Sequence, residues 1–266
     1  MLSSKDWVAK DQPYKVAMLP TPSTSHVSFE NIYEPAEDSY LLLDTLSSAA
    51  EVDFLTKRFP SASAPPIVLE VGTGSGVVLA FVGQNAARLF GRPDVALLGS
   101  DINLLAARAS HATATRALSD AHTDRHDRAG LLDIVTADLA GPIKHHEVDV
   151  LIFNPPYVPT ECVPEAVVIG DTALSSHATF ERDSQLLALS YAGGVDGMAT
   201  TWRLLEAVPT LLSERGVAFI LLCAQNKPEQ VKEHIRQWPG SWKAETVGTS
   251  GKKAGWEKLC IVRVWR

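Results

Sequence analysis

Cysteine is scarce in this sequence, and its three copies stand far apart. Cys162, Cys223 and Cys260 form no CxxC pair, so nothing supports a disulfide framework or a zinc site built on paired cysteines. Reduced intracellular thiols fit this usage. An excess of positive charge is also missing: the formal net charge is −7. Without a general basic field, nucleic acid would have to be held by a local patch, which disfavours it as a partner. Long apolar runs are absent too. GVAFILLCA is under half the length that spans a bilayer, and the opening MLSSKDWVAKDQPYK has charge where a signal peptide needs an apolar core. The expectation is a cytoplasmic or nuclear protein with no membrane association. His145-His146 reads as a solvated loop pair, and no metal site is expected. No internal repeat is visible.

What is present is ordinary globular composition, 45% hydrophobic and 21% charged over 266 residues, enough for one large domain with a substantial core. Residues 1–30 are polar and rich in proline, serine and threonine (LPTPSTSH), and read as an extended arm. Pro35 suits the first turn of a helix, with Glu34, Glu37 and Asp38 at its positive end. Tyr40, Leu43 and Leu46 recur at helical spacing and mark its buried face. Beyond it, IVLEV and VALLGSD read as buried strands, and LLDIVTAD, VDVLIFN and GVAFILLCA as strands three to five. Helical stretches alternate with them at 75–90, 103–118, 197–213 and 227–238. The polar stretch SDAHTDRHDRAG and the long mixed segment 158–192 interrupt the alternation. The tail 241–266 alternates like a hairpin around GTSGKKAG, where Lys252-Lys253 reads as a tip, with a grip on the acceptor as the alternative. Continuously apolar strands alternating with helices predict an α/β domain with a mainly parallel sheet. Ligands on such sheets sit at the carboxyl ends of the strands.

Those ends carry chemistry. Glu70-Val71-Gly72-Thr73-Gly74-Ser75-Gly76 is a tight strand-to-helix turn, with glycines where the chain bends and a ligand must approach. The spacing lacks the third glycine of a dinucleotide fingerprint. Alone, the loop is equally a NAD or FAD site, an S-adenosylmethionine site or a packing turn. Asp101 ends the second strand, where it can accept from both ribose hydroxyls of either cofactor. Asp138 ends the third and can accept from an adenine amine, while the Leu139 N–H donates to the ring. Each aspartate alone is as readily a strand-end cap.

Asn154-Pro155-Pro156-Tyr157 follows the fourth strand. Out of context it is a rigid turn. One strand beyond the adenine position, it has a chemical meaning. A carboxamide or exocyclic base nitrogen is a poor nucleophile because its lone pair is delocalised. The Asn154 side-chain oxygen and the Pro155 carbonyl can hold its two hydrogens and aim the lone pair at a sulfonium methyl. Pro155 and Pro156 preset the carbonyl geometry, and the Tyr157 ring supports the planar group. No strong base is needed, since the nitrogen sheds its proton after becoming cationic. Positioning and electrostatics would supply the catalysis.

LEVGTGSG, SDIN, TADL and NPPY resemble class I S-adenosylmethionine-dependent methyltransferases acting on planar nitrogens. YEPAEDSYLLLDTL (Tyr33 to Leu46) is more specific. It closely resembles the eukaryotic and archaeal HemK-like methyltransferases of class I translation termination factors, as does AGGVDG (Ala192 to Gly197). The resemblance covers roughly residues 30–265 and implies residues 31–266 as a single methyltransferase domain. The implied fold is Rossmann-like, with a seven-stranded mainly parallel sheet, an antiparallel C-terminal hairpin and helices on both faces. The implied reaction is N5-methylation of the glutamine in a Gly-Gly-Gln loop. S-adenosylmethionine would be held by Ser39, Glu70, Gly72, Gly74, Asp101, Asp138, Leu139 and Asn154, with the YEPAED segment as a lid. Ser39 stands where the family has threonine. The acceptor would lie on Asn154, Pro155, Pro156 and Tyr157, with Asn154, Pro155 and Tyr157 catalytic. The family's catalytic subunit works with a small zinc-binding activator protein that adds a strand beside strand three, here LLDIVTADL. The polar loop and the segment 160–191 look extended relative to the family. Competing readings are methylation of histone lysine or DNA adenine, a NAD-dependent oxidoreductase, and an inactive scaffold.

Overall fold

The computed structural model describes residues 19–120, 129–165, 176–251 and 258–266. The Lys252-Lys253 tip, the centre of the polar loop, the first part of the arm and residues 166–175 lie outside them. Seven strands form one sheet: β1 (Ile67–Val71), β2 (Ala96–Asp101), β3 (Gly130–Thr136), β4 (Val148–Phe153), β5 (Leu212–Cys223), β6 (Lys243–Thr249) and β7 (Leu259–Trp265). Their order is β3-β2-β1-β4-β5-β7-β6. The first five strands pair in parallel, and β7 is antiparallel to both β5 and β6. The order reverses between β1 and β4, which places the switch point there.

β1, β4 and the apolar part of β5 are buried on both faces because helices cover both, whereas the edge strand β3 is mostly uncovered and only its Ile134 is buried. Alternate residues of β1, β4 and β5 divide between two cores. Val68, Val150, Ile152, Val217, Phe219 and Leu221 face one; Leu69, Leu151, Phe153, Ala218, Ile220 and Leu222 face the other. On the first side lie α1 (Glu37–Leu46), α2 (Ala49–Arg58), α3 (Val77–Gln84), α4 (Ala86–Phe90) and α5 (Leu104–Asp120). On the second side lie α7 (Ala199–Leu211) and α8 (Pro228–Arg236). A further helix, α6 (Ser176–Leu189), falls within the long segment after β4. The seven-stranded, mainly parallel fold with its antiparallel C-terminal pair is the one expected.

Several boundaries differ from the sequence reading. Ala36 is extended (φ −128°, ψ −162°) and caps α1, so Pro35 and Glu34 precede the helix rather than begin it. The buried stripe of α1 is Asp38, Ser39, Leu42, Leu43, Thr45 and Leu46. Tyr40 lies off that stripe and is 47% exposed. The expected helix at 75–90 is two helices, broken at Asn85, whose side chain donates to the Phe81 and Pro20 carbonyls. β5 starts at Leu212, before the apolar run. Ser213 and Arg215 bind the Asp149 carboxylate there, and the register slips between Val148 and Val150 to admit the extra residues. Residues 47–60, left without an element above, contain α2, capped by Ser48, whose hydroxyl accepts the Glu51 N–H. The described part of the arm, 19–30, has no helix or strand, and Val27 packs with Ile32 against Ala106 of α5.

Candidate active site

The carboxyl ends of β1 to β4 open into a cavity of about 400 Å³ at the switch point. Its floor is the loop after β1. Gly72, Gly74 and Gly76 all have positive φ, the region glycine enters without penalty. A Cβ on Gly76 would run into the Ser110 backbone, whereas one on Gly74 would meet nothing within 4 Å. The first glycine lets α5 approach; the second leaves room for a ligand. Gly72 and Thr73 donate to the Ser100 carbonyl at 2.8 and 3.2 Å, tethering the loop to β2.

Two buried carboxyls frame this loop. Asp101 accepts the Gly74 N–H and the Asn103 N–H, each at 2.8 Å. Burial pushes its acid up to about 6 against the pull of these two N–H groups. Glu70 accepts the Leu79 N–H at 2.9 Å. Its acid is held well above the usual carboxylate range by burial, opposed by the Leu79 N–H and reinforced by the charge of Asp101. Thr73 adds a buried hydroxyl that lines the cavity and has no hydrogen-bond partner among the described residues.

Asp138 and Leu139 form one wall. Leu139 takes a left-handed conformation (φ 52°), which turns the chain beyond β3. The Asp138 carboxylate accepts from Arg203 of α7 at 2.6 Å, in a pair more than half exposed on both sides. Arg203 also lines the cavity and is a residue the sequence reading missed.

Asn154, Pro156 and Tyr157 form the opposite wall. The Asn154 Oδ1 is buried and has no hydrogen-bond partner among the described residues. A buried carbonyl oxygen in that condition is costly unless something else supplies a donor. Pro155 is buried behind this wall and does not line the cavity.

The acidic segment closes the top. Glu34 and Glu37 are exposed and act as solvated charges near the start of α1. Asp38 does not: it is 3% exposed. It accepts from the Ser39 hydroxyl at 3.1 Å and the Tyr33 hydroxyl at 3.0 Å, with the Tyr157 hydroxyl at 3.5 Å. Ser39, buried beside it, lines the cavity. Asp38 therefore ties α1 to the NPPY loop. The sequence reading placed it only as an acidic first-turn residue, because nothing local announces a partner 119 residues away. His145 and His146 are solvent-exposed, and no group of side chains suited to a metal occurs among the described residues. No helix among them is long and apolar enough to cross a membrane.

No family model matches this chain. It is 34% identical over 252 residues to the eRF1 methyltransferase catalytic subunit mtq2 of Schizosaccharomyces pombe, covering 94% of this chain and 96% of that one. This chain belongs to the mtq2/HEMK2 methyltransferase family. The human methyltransferase HEMK2 is 32% identical over 253 residues, covering 91% and 95% of the two chains. A protein of Methanocaldococcus jannaschii, provisionally named for protein N5-glutamine methylation, is 26% identical over 235 residues, covering 88% and 92%. The mtq2/HEMK2 relationship makes this chain an enzyme of methyl transfer.

Proposed function

We propose that this chain methylates N5 of the glutamine in the Gly-Gly-Gln loop of a class I translation termination factor, using S-adenosylmethionine. The observation that carries the reading is the buried, unpartnered Oδ1 of Asn154 at the switch point, on the same wall as the Tyr157 ring. The cavity fits the cofactor. Gly74 leaves open space, Asp101 is buried where ribose hydroxyls would donate, and Asp138 with the Leu139 N–H stands at the end of β3 for an adenine edge. Ser39 and the start of α1 suit the methionine carboxylate. When bound, S-adenosylmethionine supplies an electrophilic methyl on a sulfonium.

The chain's own part is geometric. Asn154 Oδ1 accepts one N–H of the acceptor carboxamide and the Pro155 carbonyl the other. Tyr157 carries the planar group, and the nitrogen lone pair is thereby aimed into the cavity. The proton leaves the acceptor nitrogen for solvent after the new bond has made it cationic. The relative named for eRF1 supports the acceptor, as does the name of the archaeal relative. A lysine ammonium offers no planar pair of N–H hydrogens for these two acceptors.

The reading includes a partner. β3 is the last strand on its side of the sheet, and Leu132 on it is 59% exposed. An unpaired edge with an exposed leucine suits strand addition by the small zinc-binding activator protein. The reading puts the proposed heterodimer in the cytoplasm or nucleus, where free thiols stay reduced.

Label transfer from radioactive S-adenosylmethionine to the termination factor tests the central assignment. Asn154→Ala should lower kcat about 100- to 1,000-fold, the usual loss for one preorganised polar group. An Asn154→Ala enzyme as fast as the parent would overturn it. Label on histone or DNA, and none on the factor, would move the acceptor elsewhere.

A further inference from the structure

The NPPY loop is gripped from behind by a side chain that contributes nothing to the cavity wall. Asn226 ends the single 3-10 turn Ala224–Asn226 after β5 and is 2% exposed. Its Nδ2 donates to the Asp196 carbonyl at 2.9 Å and to the Tyr157 carbonyl at 3.1 Å, with the Gly197 carbonyl at 3.4 Å. Its Oδ1 accepts the Cys223 N–H at 2.7 Å. A carboxamide offers two N–H donors, so the two shorter contacts occupy both. One end of Asn226 is thus fixed on a central strand, and the other joins two separate loops.

Those loops are pressed together without slack. A Cβ on Gly193 would collide with the Pro156 carbonyl oxygen, and one on Gly197 with that of Tyr157. Val158 donates to the Tyr191 carbonyl at 3.0 Å and Gly193 to the Val158 carbonyl at 2.8 Å. The glycines of AGGVDG are therefore where that turn meets the back of the NPPY loop. Asn154 Oδ1 has no partner among the described residues to set its direction. Its aim follows from the backbone of 154–157, and Asn226 fixes the far end of that backbone.

We propose that Asn226 is a positioning residue for methyl transfer: its carboxamide locks the Tyr157 carbonyl to the AGGVDG turn and so holds Asn154 and Tyr157 in register with the cavity. The inference rests on the methyltransferase reading above and deepens it. Asn226→Asp keeps the acceptor for Cys223 but removes both donors, and Asn226→Ala removes everything. Gly197→Ala disturbs the same contact from the opposite loop, should a change at Asn226 impair folding. The exposed Lys227–Asp196 pair, 2.8 Å and more than half exposed on both sides, holds the same turn from the solvent side. Lys227→Ala is the control, since such pairs contribute little.

Two readouts on the full chain decide the matter. The first is hydrogen exchange at the Val158 and Gly193 amides. It should accelerate in the Asn226 and Gly197 variants but not in Lys227→Ala, with the Gly72–Gly76 loop unchanged. The second is kcat for label transfer to the termination factor, counted per cofactor-binding site measured by calorimetry. It should fall about 10- to 100-fold, the loss expected from slight misplacement of a reacting group. A purely structural asparagine would reduce the number of binding sites and the melting temperature while leaving kcat per site intact. That result, or unchanged exchange, overturns the proposal. If the parent enzyme binds cofactor yet labels no factor, the acceptor assignment fails, and exchange alone then decides whether Asn226 holds the loop.

Discussion

Asp101 and Glu70 stand close together and are both buried, so each pays for ionisation. For Asp101 the acid moves from 3.8 to about 6, a gap on the order of 3 kcal/mol. A carboxyl raised in the folded state stabilises the apo protein fully below about pH 3.8, and this contribution is lost as pH rises through about 6. At neutral pH the ligand-free enzyme therefore holds a charge that ribose hydroxyls would satisfy. Cofactor binding should accordingly need the ionised form. We expect the Kd to be flat above pH 7 and to rise about tenfold per unit below about pH 6, with Asp101→Asn weak and flat throughout. Calorimetry across that range checks it; a Kd independent of pH would show that Asp101 does not touch the cofactor. Asp38 makes a second residue-scale prediction. It is the shared acceptor for Ser39, Tyr33 and Tyr157, so Asp38→Ala should cost about 1–3 kcal/mol in urea unfolding and weaken cofactor binding. Asp38→Asn, which keeps an acceptor oxygen, should cost less.

Among the elements, β3 and α2 offer the clearest tests. Leu132→Asp puts a charge on the exposed edge of β3 and should abolish co-purification with the proposed zinc-binding activator, leaving the isolated chain folded by circular dichroism. Retained co-purification would place the partner elsewhere. Ser48→Ala removes the α2 cap and should cost about 1 kcal/mol in the same urea assay, with kcat unchanged. How far each element could be read from sequence follows from how locally it is determined. β4 is buried at every position, so its unbroken apolar run declares it. The start of β5 does not declare itself, because Ser213 and Arg215 are drawn in by Asp149 of a neighbouring strand. The stripe of α1 departs from the expected one at Tyr40, because leucines at 42, 43 and 46 define the buried face and Tyr40 lies beyond its margin. The Ser48-x-x-Glu51 pattern before α2 is a helix-start signal legible in the chain.

At the scale of the whole molecule, the two cores fix the sheet and the sheet fixes the site. Glycines and acids at strand ends are legible because the loop, the aspartates and NPPY each sit directly after an apolar run. Asp38, Arg203 and Asn226 were not legible as site residues. Each acts on a partner 65 or more positions away, and only folding brings them to the strand ends. Pro155 shows the reverse case, a motif residue that is buried and does not line the cavity. The most direct test of the account is to locate the methyl group. The termination factor would be incubated with this chain, the proposed zinc-binding partner and S-adenosylmethionine, then fragmented and read by mass spectrometry. The account predicts one added methyl on the glutamine of the Gly-Gly-Gln loop, absent with Asn154→Ala and absent when that glutamine is replaced. A methyl on any other residue, or one that persists with Asn154→Ala, would contradict it.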